Sequence, residues 1–163
     1  MTNPAKGSGV AFSRRLQQII DQSLGNQGWS AGIAPDRLFL AILSDKGSHG
    51  SLIVNSLMRD WELHRVVDRM NEAIGTPGPR GLVTLRGATA LADYIAERLA
   101  VVYGDDLPPV INTGHAVLAM LNDRRLFASR LLGLYSLRPA DVFQYLMRLP
   151  SDEQSPARPP RSS

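Results

Sequence analysis

Ile33-Ala34-Pro35-Asp36-Arg37-Leu38-Phe39-Leu40-Ala41-Ile42-Leu43 returns 78 positions later as Ile111-Asn112-Thr113-Gly114-His115-Ala116-Val117-Leu118-Ala119-Met120-Leu121. Working outward, Leu16, Ile20 and Leu24 match Leu91, Ile95 and Leu99 at a shift of 75, and Ile53 and Leu57 match Ala128 and Leu132 at that same shift. A nearly constant shift with a small local insertion is what a duplicated structural unit leaves behind. The expected fold is therefore all-α, with about eight helices in two pseudo-twofold-related repeats of four.

Each half supplies its helices through apolar spacing. Leu16, Ile19, Ile20 and Leu24 fall at i, i+3, i+4 and i+8, one stripe of a helix over about 12 to 25. Pro35 suits a first helical turn, and Asp36 beside it favours the positive end of that helix. The helix from Asp36 to about Leu43 is almost wholly apolar after Arg37, so it should be the most buried of its half. Gly47 and Gly50 are read as a break, followed by stripes at Leu52, Ile53 and Leu57 and at Leu63, Val66, Val67 and Met70. The second half runs through Leu91, Ile95 and Leu99, then Val117, Leu118 and Leu121, then Phe127, Leu131 and Leu132, then Val142, Phe143, Leu146 and Met147. Asn112 or Thr113 can cap its second helix, and Pro139 again fits a first turn. Gly81-Leu82-Val83-Thr84-Leu85 is the single short strand candidate.

These elements divide the chain into an N-terminal segment 1–10 expected to be disordered, repeat one over 11–75, a Pro/Gly connector over 76–86, repeat two over 87–150, and a tail over 151–163. The tail carries three prolines and no apolar residue larger than alanine, so it is expected to be disordered or an interdomain linker. The 163 residues of the whole chain suffice for one domain with a core. Without cysteine the chain has neither disulfides nor thiolate metal ligands. No apolar leader or membrane-length run occurs, so a cytoplasmic protein is expected. Net charge is +3, and all but two of the 18 basic residues are arginine, scattered along the chain with acids nearby. That pattern disfavours a nucleic-acid binder, which gathers its charge on one face.

A four-helix unit whose second helix opens on an acid-His pair and continues as an apolar Leu/Ala run, present twice in about 150 residues, resembles the Clp N-terminal domain. That tandem repeat precedes the ATPase rings of the Clp/Hsp100 unfoldases. Here Asp36-Arg37-Leu38-Phe39-Leu40-Ala41-Ile42-Leu43 and Gly114-His115-Ala116-Val117-Leu118-Ala119-Met120-Leu121 carry the resemblance, which spans about 12–148. It implies a module that docks protein substrates or adaptor proteins for an AAA+ ATPase ring, in cis or in trans, and not a catalyst. The alternative within the family is the N-domain of the type VI secretion Clp ATPase, which grips a sheath-subunit helix; Asn112-Thr113-Gly114-His115 looks like a motif seen there. From another class, a small helical nucleic-acid-binding regulator remains a further alternative.

The family pattern places an acid just before the histidine in both repeats. Repeat one keeps Asp36 but has Arg37, and repeat two keeps His115 but has Gly114. Reception of phosphorylated arginine, which those acids perform in some relatives, is therefore not expected. The candidate peptide- or adaptor-binding residues are Asp36, Arg37, Thr113 and His115, at the starts of the second and sixth helices, with Trp29 as a possible loop anchor. No P-loop surrounds Lys6 or Lys46, so no ATP hydrolysis is expected of this chain, and any ATPase would lie downstream. His49, His64 and His115 stand far apart in sequence with no carboxylate at ligand spacing, so neither a metal nor a cofactor is expected.

Overall fold

The computed structural model describes residues 11–75, 84–148 and 153. Among them the chain forms eight α-helices and a sheet of two very short strands. The helices are α1 (Arg14–Leu24), α2 (Pro35–Ser44), α3 (His49–Leu57), α4 (Asp60–Gly75), α5 (Ala88–Tyr103), α6 (Thr113–Leu121), α7 (Phe127–Leu134) and α8 (Pro139–Arg148). The strands are β1 (Ala11–Phe12) and β2 (Val110–Ile111), which pair in parallel. The all-α reading holds.

Local chemistry sets most of the helix starts. Ser13 caps α1, its Oγ accepting from the Leu16 N–H at 3.1 Å. Ser48 caps α3 in the same way through the Ser51 N–H. Pro35 and Pro139 each take the first position of a helix, where a missing N–H costs nothing. At α6, Asn112 is the cap: its Oδ1 accepts from the His115 N–H at 2.9 Å, and His115 Nδ1 accepts from the Asn112 N–H at 3.1 Å.

The helices of the two halves share one core. Leu38, Phe39 and Ile42 of α2 and Val117 and Leu118 of α6 are fully enclosed, and they belong to a single apolar cluster with Leu16, Ile53, Met70, Ile95 and Leu132. Helix α6 packs against α2, α3, α5, α7 and α8, which accounts for its being apolar on every side. Two short backbone pairings also join the halves. Strand β1, entering α1, lies beside β2, entering α6; Ile33, entering α2, exchanges both N–H···O bonds with Leu85 (2.9 and 2.8 Å), just before α5.

The starts of α2 and α6 stand 78 residues apart, as do those of α3 and α7. The 75-residue shift read from Ile53 and Leu57 is therefore not the register of the third helices; apolar periodicity alone allows such a slip of one helical turn. Helix lengths do not repeat, since α1 has 11 residues and α5 has 16. Gly50 does not break the chain but lies within the first turn of α3. A Cβ there would come within 2.8 Å of the Thr113 carbonyl oxygen and 2.7 Å of Ile42 Cγ2, so its lack of a side chain lets α3 and α6 approach closely. Trp61 sits inside the first turn of α4 and is exposed, with Arg65 over its ring at 5.8 Å. Of the expected strand at Gly81–Leu85, only Thr84 and Leu85 fall within the described residues. The expected disordered N-terminal segment and most of the connector lie outside them; of the tail expected to be disordered or a linker, Glu153 is described, and it is half-buried and hydrogen-bonded to the starts of α3 and α6.

Each of α2 and α6 is followed by an aspartate tied to arginine. Arg15 makes a two-pronged contact with Asp45, at 2.9 Å from Nε and 2.6 Å from Nη2, and that bond holds the Asp45 carboxyl below its ordinary range. Asp123 is more enclosed. It accepts from Tyr94 Oη at 2.6 Å, from the backbone N–H and guanidinium of Arg125, and from Arg98 Nε, whose guanidinium lies 3.7 Å from the centre of the Tyr94 ring.

Candidate functional site

The sixth helix opens onto a junction with the third. Its first residue, Thr113, is wholly buried, and its Oγ1 accepts from the Gly50 N–H at 2.8 Å. Into this junction comes a carboxylate from the far end of the chain. Glu153 Oε1 accepts from the Thr113 N–H at 3.0 Å and from the Thr113 hydroxyl at 2.8 Å, and Oε2 accepts from the His49 N–H. His49 and Thr113 are the first residues of their helices, so two helix N-termini point their unsatisfied amides at one anion. Together they form a compact carboxylate receptor.

Gly114 shapes this receptor. A Cβ on it would stand 2.8 Å from both His49 Cδ2 and Leu146 Cδ2 and 3.0 Å from Ile53 Cδ1. A side chain at 114 would therefore require the side chains of α3 and α8 that pack there to shift.

His115 lies beside the junction, half-buried, with Tyr103 meeting its ring edge-on at 6.1 Å. Burial, and after it the charge of His49, pushes its pKa down to about 4. The neutral ring fits its place as acceptor in the capping box. Because the folded value lies below the unfolded value near 6.5, the unfolded chain binds the proton more readily. The His115 contribution to stability is then complete above pH 6.5 and is lost as pH falls towards 4, amounting to about 3 kcal/mol at most. His115→Gln keeps an acceptor for the Asn112 N–H but does not titrate. Urea unfolding should show a flatter pH dependence for the variant between 6.5 and 4; equal slopes for both proteins would remove His115 as the cause.

The candidate residues divide into two groups. Thr113 and His115 are at the junction. Asp36 is elsewhere and inward: its carboxylate, 2% exposed, accepts from the Phe127 N–H at 3.2 Å and the Ala128 N–H at 2.8 Å at the start of α7. It is committed to that helix, not to the surface. Arg37 is exposed and reaches the carbonyl of Ile74 at the end of α4, at 3.4 Å. Trp29 is half-buried against the core in a 3-10 segment, Gly25–Ser30. The expected surface spanning the starts of α2 and α6 is thus not one site. His49, Gly50 and Glu153 were not among the expected residues. Their signal was Gly114 itself, the position 78 residues after Asp36 where the acid is missing.

Among the described residues no group of three or more His, Cys, Asp or Glu is placed to hold a metal ion, and no helix is long and apolar enough to cross a membrane. Comparison with known proteins returns nothing: no family model matches the chain, and neither a curated protein nor a solved structure is significantly similar to it.

Proposed function

We propose that this chain is a protein- and peptide-binding domain of Clp/Hsp100 type, docking substrates or adaptors for an AAA+ unfoldase that acts on them in cis or in trans. The observation that carries the reading is the α3–α6 junction, which already receives an acidic residue from a separate stretch of polypeptide. Eight helices in this order, with α2 and α6 at the centre and starts 78 residues apart, support a tandem repeat. A paired helix terminus recognises a carboxylate through backbone amides alone, which suits clients that share charge but not sequence. The chain is read as a docking module, with the chemistry left to the ring.

The test is a titration of the full chain with a permanently unfolded acidic polypeptide, reduced and carboxymethylated α-lactalbumin, followed by amide chemical shifts. Saturable binding that moves the His49, Gly50 and Thr113 resonances is expected. Absence of binding sinks the reading. So does binding of duplex DNA at micromolar concentration with a steep salt dependence, which would favour a nucleic-acid regulator.

A further inference from the structure

Two helix starts in this molecule are capped by carboxylates from distant sequence, and they stand in the same register. At α7 the amides of Phe127 and Ala128 are satisfied by Asp36, from the first turn of α2. Seventy-eight residues earlier in the chain, the corresponding amides are those of His49 and Gly50, at the start of α3. The residue matching Asp36 is Gly114, in the first turn of α6. There the acid is gone, and a Cβ would require His49 and Leu146 to shift. Its work is shared by the Thr113 hydroxyl, which takes the Gly50 amide, and by Glu153, which takes the His49 amide.

The two solutions differ in one physical respect. Asp36 is built into a helix of the core and 2% exposed, so its carboxylate cannot leave without unfolding α2. Glu153 lies five residues past the last residue of α8 and is only half-buried, so its carboxylate is not fixed by a helix of the core as that of Asp36 is. When it departs, the His49 and Thr113 amides and the buried Thr113 hydroxyl face an empty anion position. Leaving such donors unsatisfied costs about 1–3 kcal/mol each, so an incoming carboxylate is favoured over water alone.

We propose that the α3–α6 junction is an exchangeable receptor for a single carboxylate, plugged by Glu153 in the resting chain and opened to an Asp or Glu side chain of a bound peptide when Glu153 leaves. This deepens the docking reading above and rests on it for the identity of the ligand as polypeptide. A tethered plug acts at an effective concentration on the order of millimolar, so a free acidic peptide competes poorly until the plug is displaced or neutralised. The junction is thus self-inhibited against isolated carboxylates. It favours ligands whose flanking residues add contacts, or whose acids are present in many copies.

The test compares the full-length chain with its Glu153→Gln variant. The probe is the peptide Asp-Glu-Gln-Ser-Pro, copied from residues 152–156 of this chain, together with a version in which its glutamate is glutamine. In the variant, the His49 and Thr113 amide resonances should move upfield while those of Phe127 and Ala128 stay in place. The acidic peptide should bind the variant about tenfold or more tightly than the wild type and return both resonances, because a hydrogen bond to a charged partner contributes about 1.5–3 kcal/mol. The neutral peptide should do neither. Unmoved His49 and Thr113 resonances in the variant would overturn the proposal, as would equal affinity of the acidic peptide for both proteins, or equal binding of the two peptides. Thr113→Ser, which keeps the hydroxyl, should exchange ligands as Glu153→Gln does when the two changes are combined. Failure of the unfolded-polypeptide titration while the pentapeptide still exchanges would remove the chaperone reading and leave the receptor standing.

Discussion

Replacing Asp36 with alanine should lower the stability of the domain by about 2–4 kcal/mol, because one buried and one partly buried amide lose their common acceptor. The Phe127 and Ala128 N–H groups open α7, whose cap residue Leu126 has no side-chain oxygen to offer. With the carboxylate gone they face the core of a folded α2, where Asp36 is enclosed and water has little access. For a domain of this size the loss corresponds to roughly 10 °C in Tm. Asp36→Asn retains one acceptor oxygen and should cost about half as much, its remaining loss reflecting the weaker bond from a neutral amide oxygen to the helix N-terminus. Urea denaturation of the three proteins decides the matter. A difference within about 0.5 kcal/mol for Asp36→Ala, the usual range of surface substitutions, would show that α7 does not depend on this carboxylate.

Asp123→Ala should be at least as damaging, at about 3–4 kcal/mol. The side chain is 4% exposed and gathers the Tyr94 hydroxyl, the Arg98 guanidinium and three donors of Arg125, binding α5 to the chain between α6 and α7. Removing it leaves Arg98, already stacked on Tyr94, without its buried anion. Tyr94→Phe removes only one neutral donor and should cost about 1 kcal/mol. The pH signature separates charge from packing. Burial opposes ionisation of Asp123, but hydrogen bonds from Arg125 and Tyr94 and the charge of Arg125 outweigh it and hold the carboxyl well below the ordinary carboxylate range. A depressed folded value means that this stabilisation is present above the unfolded value near 4 and is lost as pH falls below it. The gap between wild type and Asp123→Ala, measured by thermal unfolding, should therefore be constant from pH 7 to about 5 and narrow below 4. A gap that persists unchanged to pH 2 would assign the loss to packing instead.

Helix existence, and orientation in part, were legible in the residues, since each helix is written as a local period. The stripes at Leu16, Ile19 and Ile20 and at Leu131 and Leu132 face the core as their spacing requires, whereas Leu52, Leu57 and Met147, read into the stripes of α3 and α8, are exposed. The caps that use neighbouring residues were also legible: Pro35, Asn112 and Pro139 stand at the helix starts where their chemistry suits them. The parallel pair β1–β2 was not, because two residues per strand give no alternation to read, and the partners are brought together only by the docking of α1 and α6.

The candidate site was legible in half. Thr113 and His115 could be picked out because they begin a helix. Asp36 begins a helix too, and from the residues alone its carboxylate belongs there. In the folded chain it serves another helix, 91 residues away. Its absence from position 114 could be seen in the sequence and read as the loss of a binding group, whereas in the structure His49, Leu146 and Ile53 pack closely around Gly114. The residues by themselves thus contain the helices, part of their apolar faces and the asymmetry between Asp36 and Gly114. Which amides each carboxylate satisfies was decided only by tertiary packing. Hydrophobic period and caps act over one helical turn, but a buried donor donates to whatever acceptor the packing of distant segments brings within about 3 Å of it.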